Sequence, residues 1–478
     1  MARRWWPLAA LLILAAALRL STLHLQSFWY DEAYVPVHTL HPSLTATLRS
    51  VVHRENTPPL WYVLIWAWSR LFGTGEVALR LPSALAGIAT VAFAWGIGSE
   101  LAGRRAAIAT AVLVAFNPLF VWYSQEARAY GLFVALIALA MWCWLRADAQ
   151  PTPRRLTAFA VSGAAALATH YFAVFLLAPM CLWLLRRRTR LSVALPAVAA
   201  IGAVGLALVP LALAQGGHGT QWIGAWALAS RLEAIPQYFL TGYSAAPLGH
   251  GIELLVALEI LAAIGYGLWR VLTPRESEAA LLSLGIAACG VLIPLAMAVL
   301  GADYLAPRNV VAAMIPLTAG IAVIAAARRT GRTGLALVGL IAVTFAALSV
   351  DVDLSPRLQR GDWRGLAATI GRSGRPRAVT TVELGSAPLE YYLPPLRNLR
   401  RGAVVEVSEI DETGYAPLLP GAGQPPAPGF RLVQRRNING MLLYRFLAPT
   451  PRTVSQDGLR AHVIAEGRPE VLVGGEKE

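Results

Sequence analysis

RRWWPLAALLILAAALRL, residues 3–20, sets two arginines ahead of an apolar run long enough for one membrane helix. A span needs about 20 apolar residues, and arginine collects in short cytoplasmic loops. Arg3 and Arg4 therefore place the N-terminus inside, and the chain leaves the membrane near Leu20. A signal peptide is the other reading of such a start. Further membrane segments follow and no cleavage site stands out, so the helix is expected to be retained.

Working outward from this helix, the same two rules thread the rest of the chain. A long outer loop runs over residues 21–80, and a second span, residues 81–101, returns to Arg104 and Arg105 inside. A third span rises over 106–122, exposes Ser124 to Tyr130 outside, and a fourth comes back to Arg146, Arg154 and Arg155. Residues 156–185 must form a hairpin ending at Arg186, Arg187 and Arg188. About 30 residues are short for two full spans, so the turn at Thr169, His170 and Tyr171 is expected to be recessed. Further spans are predicted over 191–214, 251–269, 279–300, 310–327 and 334–350, about eleven in all. Arg270, Arg275, Arg328, Arg329 and Arg332 then lie inside. Pro58 to Phe72 is apolar but only about 15 residues long. Reading it as a span would push the Arg104 and Arg186 clusters outside, so it is assigned to a helix lying on the outer leaflet.

The composition agrees with a bilayer setting: 56% of residues are hydrophobic and 14% charged, too apolar for an ordinary soluble domain. The net charge of +14 sits in short arginine clusters at the ends of apolar runs, which reads as topology and not as a nucleic-acid surface. Cys143, Cys181 and Cys289 are far apart in apolar segments, so neither a disulfide framework nor a thiolate metal site is expected. No internal repeat is seen, so the inverted halves of many transporters are not evident.

After Val350 the chain turns polar and rich in Pro and Gly. AVTTVEL and VVEVSEI read as strands, DWRGLAATI as a helix, and FRLVQRRNINGMLLYRFL as two strands around a turn at Asn437 to Gly440. The expected organisation is a helical membrane domain over 1–350 and a small extracytoplasmic α/β domain over 351–478, with a loose tail after about 451.

Four polar clusters fall on the outer side of this threading. The first is FWYDEA, with Asp31 and Glu32 just beyond the first helix; its plainer reading is a solvated helix start with acidic capping. The second is YSQEARAY, where Glu126 and Arg128 lie two residues apart and Glu126 shares a helix face with Tyr130; a structural ion pair with interfacial tyrosines is the plainer reading. His170 and Tyr171 form the third, and a lone histidine there is more often a hydrogen-bonded packing residue. In the fourth, DYLAPRN, Arg308 reads either as a site residue or as a snorkelling anchor.

The motifs WYDEAY, ENTPPLWYVL, LFGTGEVALRLPSALAG and NPLFVWYSQEARAYG, between Trp29 and Gly131, closely resemble bacterial family 39 glycosyltransferases, of the protein O-mannosyltransferase and aminoarabinose-transferase-like group. The resemblance is strong over the first 190 residues and extends weakly, through THYF, the loop of Arg308 and DWRG, to about Gly365. It implies a GT-C fold and a hexosyl- or pentosyltransferase of the bacterial plasma membrane that uses a polyprenyl-phosphate sugar. It also implies that Asp31 is the catalytic carboxylate, with Glu32 as its neighbour, and that Glu126 and Arg128 fill the second-loop motif. Many relatives carry a histidine before the paired prolines. Here Thr57 precedes Pro58 and Pro59, so no histidine role is carried over at that place.

An outward-facing site has little access to nucleotide sugars, and no Gly-rich nucleotide loop is visible. A lipid-linked donor fits instead, with a protein, glycan or lipid as acceptor. Arg128 and Arg308 are expected to bind its phosphate, with Tyr130, His170 and Tyr171 as sugar or phosphate contacts. Glu126 is left with three roles: orienting Arg128, binding the sugar, or joining Asp31 in holding a divalent ion such as Mg or Mn. A transporter or flippase of lipid-linked sugars is the rival reading, and a structural subunit with a degenerate site a third.

Overall fold

The structure, a computed structural model, describes residues 2–186, 191–243, 258, 260–261, 264–267, 271–462, 464–465 and 468–474. It divides into two compact units, one formed by Met1–Leu23 with Pro42–Leu354 and the other by His24–His41 with Ser355–Glu478.

The first unit is helical. Among the described residues, Glu76–Ala102, Tyr130–Ala149, Leu191–Gln215, Pro274–Val299 and Arg328–Leu354 are long and apolar enough to cross a membrane. Five of the eleven expected spans take this form. Arg104–Phe116 and Pro118–Ser124 make a sixth if the pair, bent by 59°, counts as one. Ala2–Leu20, Pro153–Thr169, Ala173–Leu185 and the segment Val311–Ala325 are also helical, but shorter or less apolar. The expected span over 251–269 lies largely outside the described residues, as do Arg187, Arg188 and Arg270. The chain is a multi-pass membrane protein. The short hairpin expected over 156–185 is two helices of 17 and 13 residues turning at His170. Pro58–Phe72 contains a 13-residue helix, Leu60–Phe72, which buries Trp61, Tyr62 and Ile65 on one face.

The bend in the expected third span has a local cause. Pro118 has no N–H to offer the Val114 carbonyl, and the Leu119 and Phe120 amides donate instead to Asn117 Oδ1, at 3.0 and 3.2 Å. Arg19, fully buried near the end of the first helix, supplies replacement donors: its Nη1 reaches Ala115 O at 2.8 Å and Nη2 reaches Val114 O at 3.3 Å. Its Nε donates to Ser124 Oγ at 3.2 Å. Gly87 lies against this junction, where a Cβ would come within 2.0 Å of Ser124 Oγ.

Arg19→Met keeps the bulk of the side chain but strips these donors. A buried unsatisfied polar group costs about 1–3 kcal/mol. The variant in detergent should therefore melt at lower temperature by intrinsic tryptophan fluorescence; an unchanged transition would show that the carbonyls find other donors.

The second unit is built on a six-stranded sheet: β1 (Arg377–Thr381), β2 (Leu396–Asn398), β3 (Val404–Tyr415), β4 (Arg431–Ile438), β5 (Met441–Ser455) and β6 (Glu470–Gly474). The order is β2-β6-β1-β3-β5-β4, with β1 and β3 parallel and the other pairs antiparallel. The expected strands, the hairpin with its Asn439-Gly440 turn at positive φ, and the helix Trp363–Ile370 capped by Asp362 all form. The tail does not run loose after 451. β5 continues to Ser455, a helix covers Gln456–Ala461, and β6 inserts between β2 and β1, where the successive residues Val471 and Leu472 point to opposite faces of the sheet and are each buried in a different core cluster.

The segment His24–His41, assigned by the sequence to the membrane domain as part of the 21–80 loop, packs within this second unit. Ser27 Oγ donates to Gly361 O and accepts from the Trp363 amide, both at 3.0 Å. The Phe28 amide donates to the Tyr392 hydroxyl at 2.7 Å, and the Tyr30 ring meets the buried Trp363 edge-on at 6.1 Å. These contacts hold the short helix Tyr30–Tyr34, which carries Asp31 and Glu32.

Candidate active site

The two adjacent acids of the second unit have different surroundings. Glu32 is fully buried, with Oε2 3.8 Å from Arg360 Nη1, and the Arg360 side chain is itself 4% exposed. Arg360 is in turn fixed through its backbone amide, which donates to Gln26 Oε1 at 3.1 Å. Asp31, one residue earlier, is half-buried. The two acids therefore differ: Glu32 is paired with a buried arginine, and Asp31 keeps part of its surface exposed.

The remaining sequence candidates lie in the first unit. Gln125 to Ala129 form the link between Pro118–Ser124 and the membrane helix Tyr130–Ala149. Gln125 Nε2 ties it to the end of the first helix, donating to Thr22 Oγ1 at 2.6 Å, and Ser83 Oγ donates to Arg128 O at 3.2 Å. Gly131 is needed for this closeness, since a Cβ there would sit 3.0 Å from Tyr123 O and 3.1 Å from Ser83 O. Glu126 is 1% exposed, and its charge acts on Tyr123, as does that of Arg308.

Arg128 is gripped by Glu55, with Nη1 to Oε1 at 3.5 Å and Nη2 to Oε2 at 3.1 Å. This acid stands in ENTPPLWYVL, but a single acid at a helix end gives no local signal of its partner 73 residues away. The Tyr62 hydroxyl, 3.1 Å from Thr57 Oγ1, also hydrogen-bonds Glu55.

His170 is buried, stacked on Phe133 with centroids 4.5 Å apart, and 5.9 Å from the Tyr130 ring. Its Nδ1 accepts from the Phe172 amide at 3.3 Å, which leaves the proton of a neutral ring on Nε2. Burial first, and then the positive charges of Arg308 and Arg128, push its pKa down to about 3, so the imidazole is neutral at physiological pH. Tyr171 turns elsewhere. Its hydroxyl donates to Gln215 Oε1 at 2.7 Å, while Gln215 Nε2 donates to Val51 O at 2.9 Å and Thr57 O at 3.1 Å.

Arg308 is half-buried, with its guanidinium 4.5 Å above the Trp222 ring. Its loop is clamped by Arg231, another residue without a sequence signal. Arg231 makes a two-pronged bond to Asp303 at 2.6 and 2.7 Å and a third to Leu305 O at 2.9 Å. Chiefly through these bonds, Arg231 holds the Asp303 carboxyl below its usual range. Glu126, Arg128, Tyr130, His170 and Arg308 are thus gathered around Tyr123 and His170, whereas Tyr171 is bound into the frame beside them. Among the described residues, no group of three or more His, Cys, Asp or Glu side chains has the grouping a metal ion needs.

Fold and site together define a multi-pass membrane protein with a polar cluster at helix ends and a small α/β domain. Residues 56–213 match the family described as dolichyl-phosphate-mannose-protein mannosyltransferase. That match spans 158 of the 478 residues, about a third of the chain. Among solved structures the chain is similar to ArnT from Cupriavidus metallidurans bound to undecaprenyl phosphate, at 15% identity and a TM-score of 0.46, covering 93% of this chain and 98% of that one. The apo Archaeoglobus fulgidus oligosaccharyltransferase matches at 14% identity and a TM-score of 0.45, over 78% of this chain and 59% of that one. A chain of the Saccharomyces cerevisiae Pmt1-Pmt2 complex bound to the sugar donor matches at 17% identity and a TM-score of 0.35. That match covers 44% of this chain and only 33% of the yeast one. At these scores the likenesses carry no argument about the site. No match is found among curated proteins.

Proposed function

We propose that this protein transfers a sugar from a polyprenyl-phosphate carrier to an acceptor hydroxyl at the extracytoplasmic face of a bacterial plasma membrane, with inversion at the anomeric carbon. The observation that carries this reading is the placement of Arg128, paired with Glu55, on the link into the membrane helix Tyr130–Ala149, whose Tyr130 ring lies 5.9 Å from the buried His170, with the charges of both Arg128 and Arg308 felt at that histidine. Two guanidiniums at such a place suit a phosphate whose lipid tail stays in the bilayer. The matched family's description names a lipid-phosphate sugar of this class.

In the transfer, the acceptor oxygen bonds to the anomeric carbon as the carbon–oxygen bond to phosphate breaks. The electron pair leaves with the polyprenyl phosphate, whose added charge Arg128 and Arg308 stabilise. The hydroxyl proton passes to the Asp31 carboxylate, the general base. A single displacement of this kind inverts the configuration. Glu32, held by Arg360, fixes the short helix of Asp31, while His170, as an Nε2 donor, and Tyr130 contact the sugar or phosphate. Glu126 completes the polar wall beside Arg128.

The test is to incubate purified protein with a radiolabelled polyprenyl-phosphate sugar and a panel of protein, glycan and lipid acceptors. Label on an acceptor, with the anomeric configuration opposite to the donor's, supports the reading. No transfer to any class, together with intact donor, counts against it.

A further inference from the structure

We propose that Glu55 is a positioning residue for the donor phosphate: it holds Arg128 by a two-pronged bond and thereby sets the direction of the guanidinium. The inference rests on the donor reading above. Arg128 has five N–H donors in one plane, and an end-on pair with a carboxylate uses two of them, so fixing that pair fixes the whole fork.

Glu55 is well suited to be the fixed partner. It closes the helix Leu44–Arg54, its amide donating to Val51 O at 3.2 Å, and its side chain is 4% exposed. Tyr62 hydrogen-bonds its carboxylate. Gln215, from the end of a different helix, binds the carbonyls of Val51 and Thr57 on either side of it. Glu55 is therefore seated in a braced frame, and Arg128, on a link between helices, is the side chain left to be oriented.

A second consequence of the same pair opposes the first. A carboxylate beside Arg128 cancels part of the positive charge offered to a phosphate, so a Glu55 able to swing away would act as a latch that competes with the donor. The bracing decides between them: a latch needs a mobile acid, and this one is buried, hydrogen-bonded by Tyr62, and set in backbone that Gln215 ties at Val51 and Thr57. Orientation is the larger effect, because a misaimed guanidinium loses its paired hydrogen bonds to the donor.

The test compares wild type with Glu55→Ala, Glu55→Gln and Glu55→Asp, each alone and with Arg128→Ala. Binding of undecaprenyl phosphate in detergent is measured, together with KM and kcat for a polyprenyl-phosphate sugar. Glu55→Gln serves if the alanine variant folds poorly, since it keeps the shape and one acceptor oxygen. Expected are a donor Kd and KM at least tenfold higher for Glu55→Ala and Glu55→Gln, a smaller change in kcat, and partial recovery in Glu55→Asp. In the Arg128→Ala background, loss of Glu55 should add less than threefold, because a residue acting through Arg128 has nothing left to orient. Unchanged or tighter binding in a folded Glu55→Gln protein, or fully additive effects, would overturn the proposal. Failure of the wild type to bind undecaprenyl phosphate would overturn the donor reading, and this inference with it.

Discussion

Asp31→Asn is expected to remove transfer while leaving the donor bound. A positioned general base contributes about 10²–10⁴-fold to rate, and an amide of the same shape cannot take the acceptor proton, so kcat should fall by about that factor. The donor Kd should stay within about twofold, since the phosphate is assigned to Arg128 and Arg308 and not to this carboxylate. The neighbouring acid supplies the contrast. Glu32 is buried against Arg360, so Glu32→Gln leaves a buried guanidinium without its counter-charge and should act on folding more than on chemistry. Turnover by Asp31→Asn at the wild-type rate removes Asp31 from the mechanism.

Arg128→Ala should show the reverse pattern, with weak donor binding and, at saturating donor, a smaller loss of kcat. Hydrogen bonds to charged groups contribute about 1.5–3 kcal/mol each, which corresponds to a rise in donor Kd of about 10- to 150-fold for one lost bond. Arg128→Lys should not restore affinity, because an ammonium keeps the charge but loses the planar fork, both toward Glu55 and toward a phosphate. A titration of undecaprenyl phosphate against the three proteins checks both statements. Equal affinities would count against phosphate recognition by Arg128.

The parts of this molecule legible in its sequence are those fixed by local rules. Span length and arginine placement found the long apolar helices, and the shortness of 156–185 matches its two short helices with His170 at the turn. Alternation and an Asn-Gly turn found β4 and β5, and Asp362 marked the helix it caps. What stayed hidden depends on partners far along the chain. Ser27 meets Gly361 across 334 positions, and nothing in FWYDEA announces that its acids fold with the sheet. Glu55 and Arg231 look like ordinary helix-end charges until Arg128 and Asp303 are placed against them. Arg19, at the end of an apolar run, reads as a span boundary, yet its donors serve carbonyls opened by Asn117 and Pro118 almost 100 residues later. EVLVG is too short to claim a strand without the β1 and β2 edges that receive it.

The fate of the anomeric carbon–oxygen bond separates an enzyme from a carrier most directly. Proteoliposomes holding the purified protein, a lipid-linked sugar labelled in the sugar ring and an acceptor accepted in the panel assay can be followed by mass spectrometry of the lipid fraction. The expected result is free polyprenyl phosphate appearing in step with glycosylated acceptor, and its absence with Asp31→Asn. Donor that crosses the bilayer intact, with no free polyprenyl phosphate formed, would contradict the transferase reading and favour a flippase.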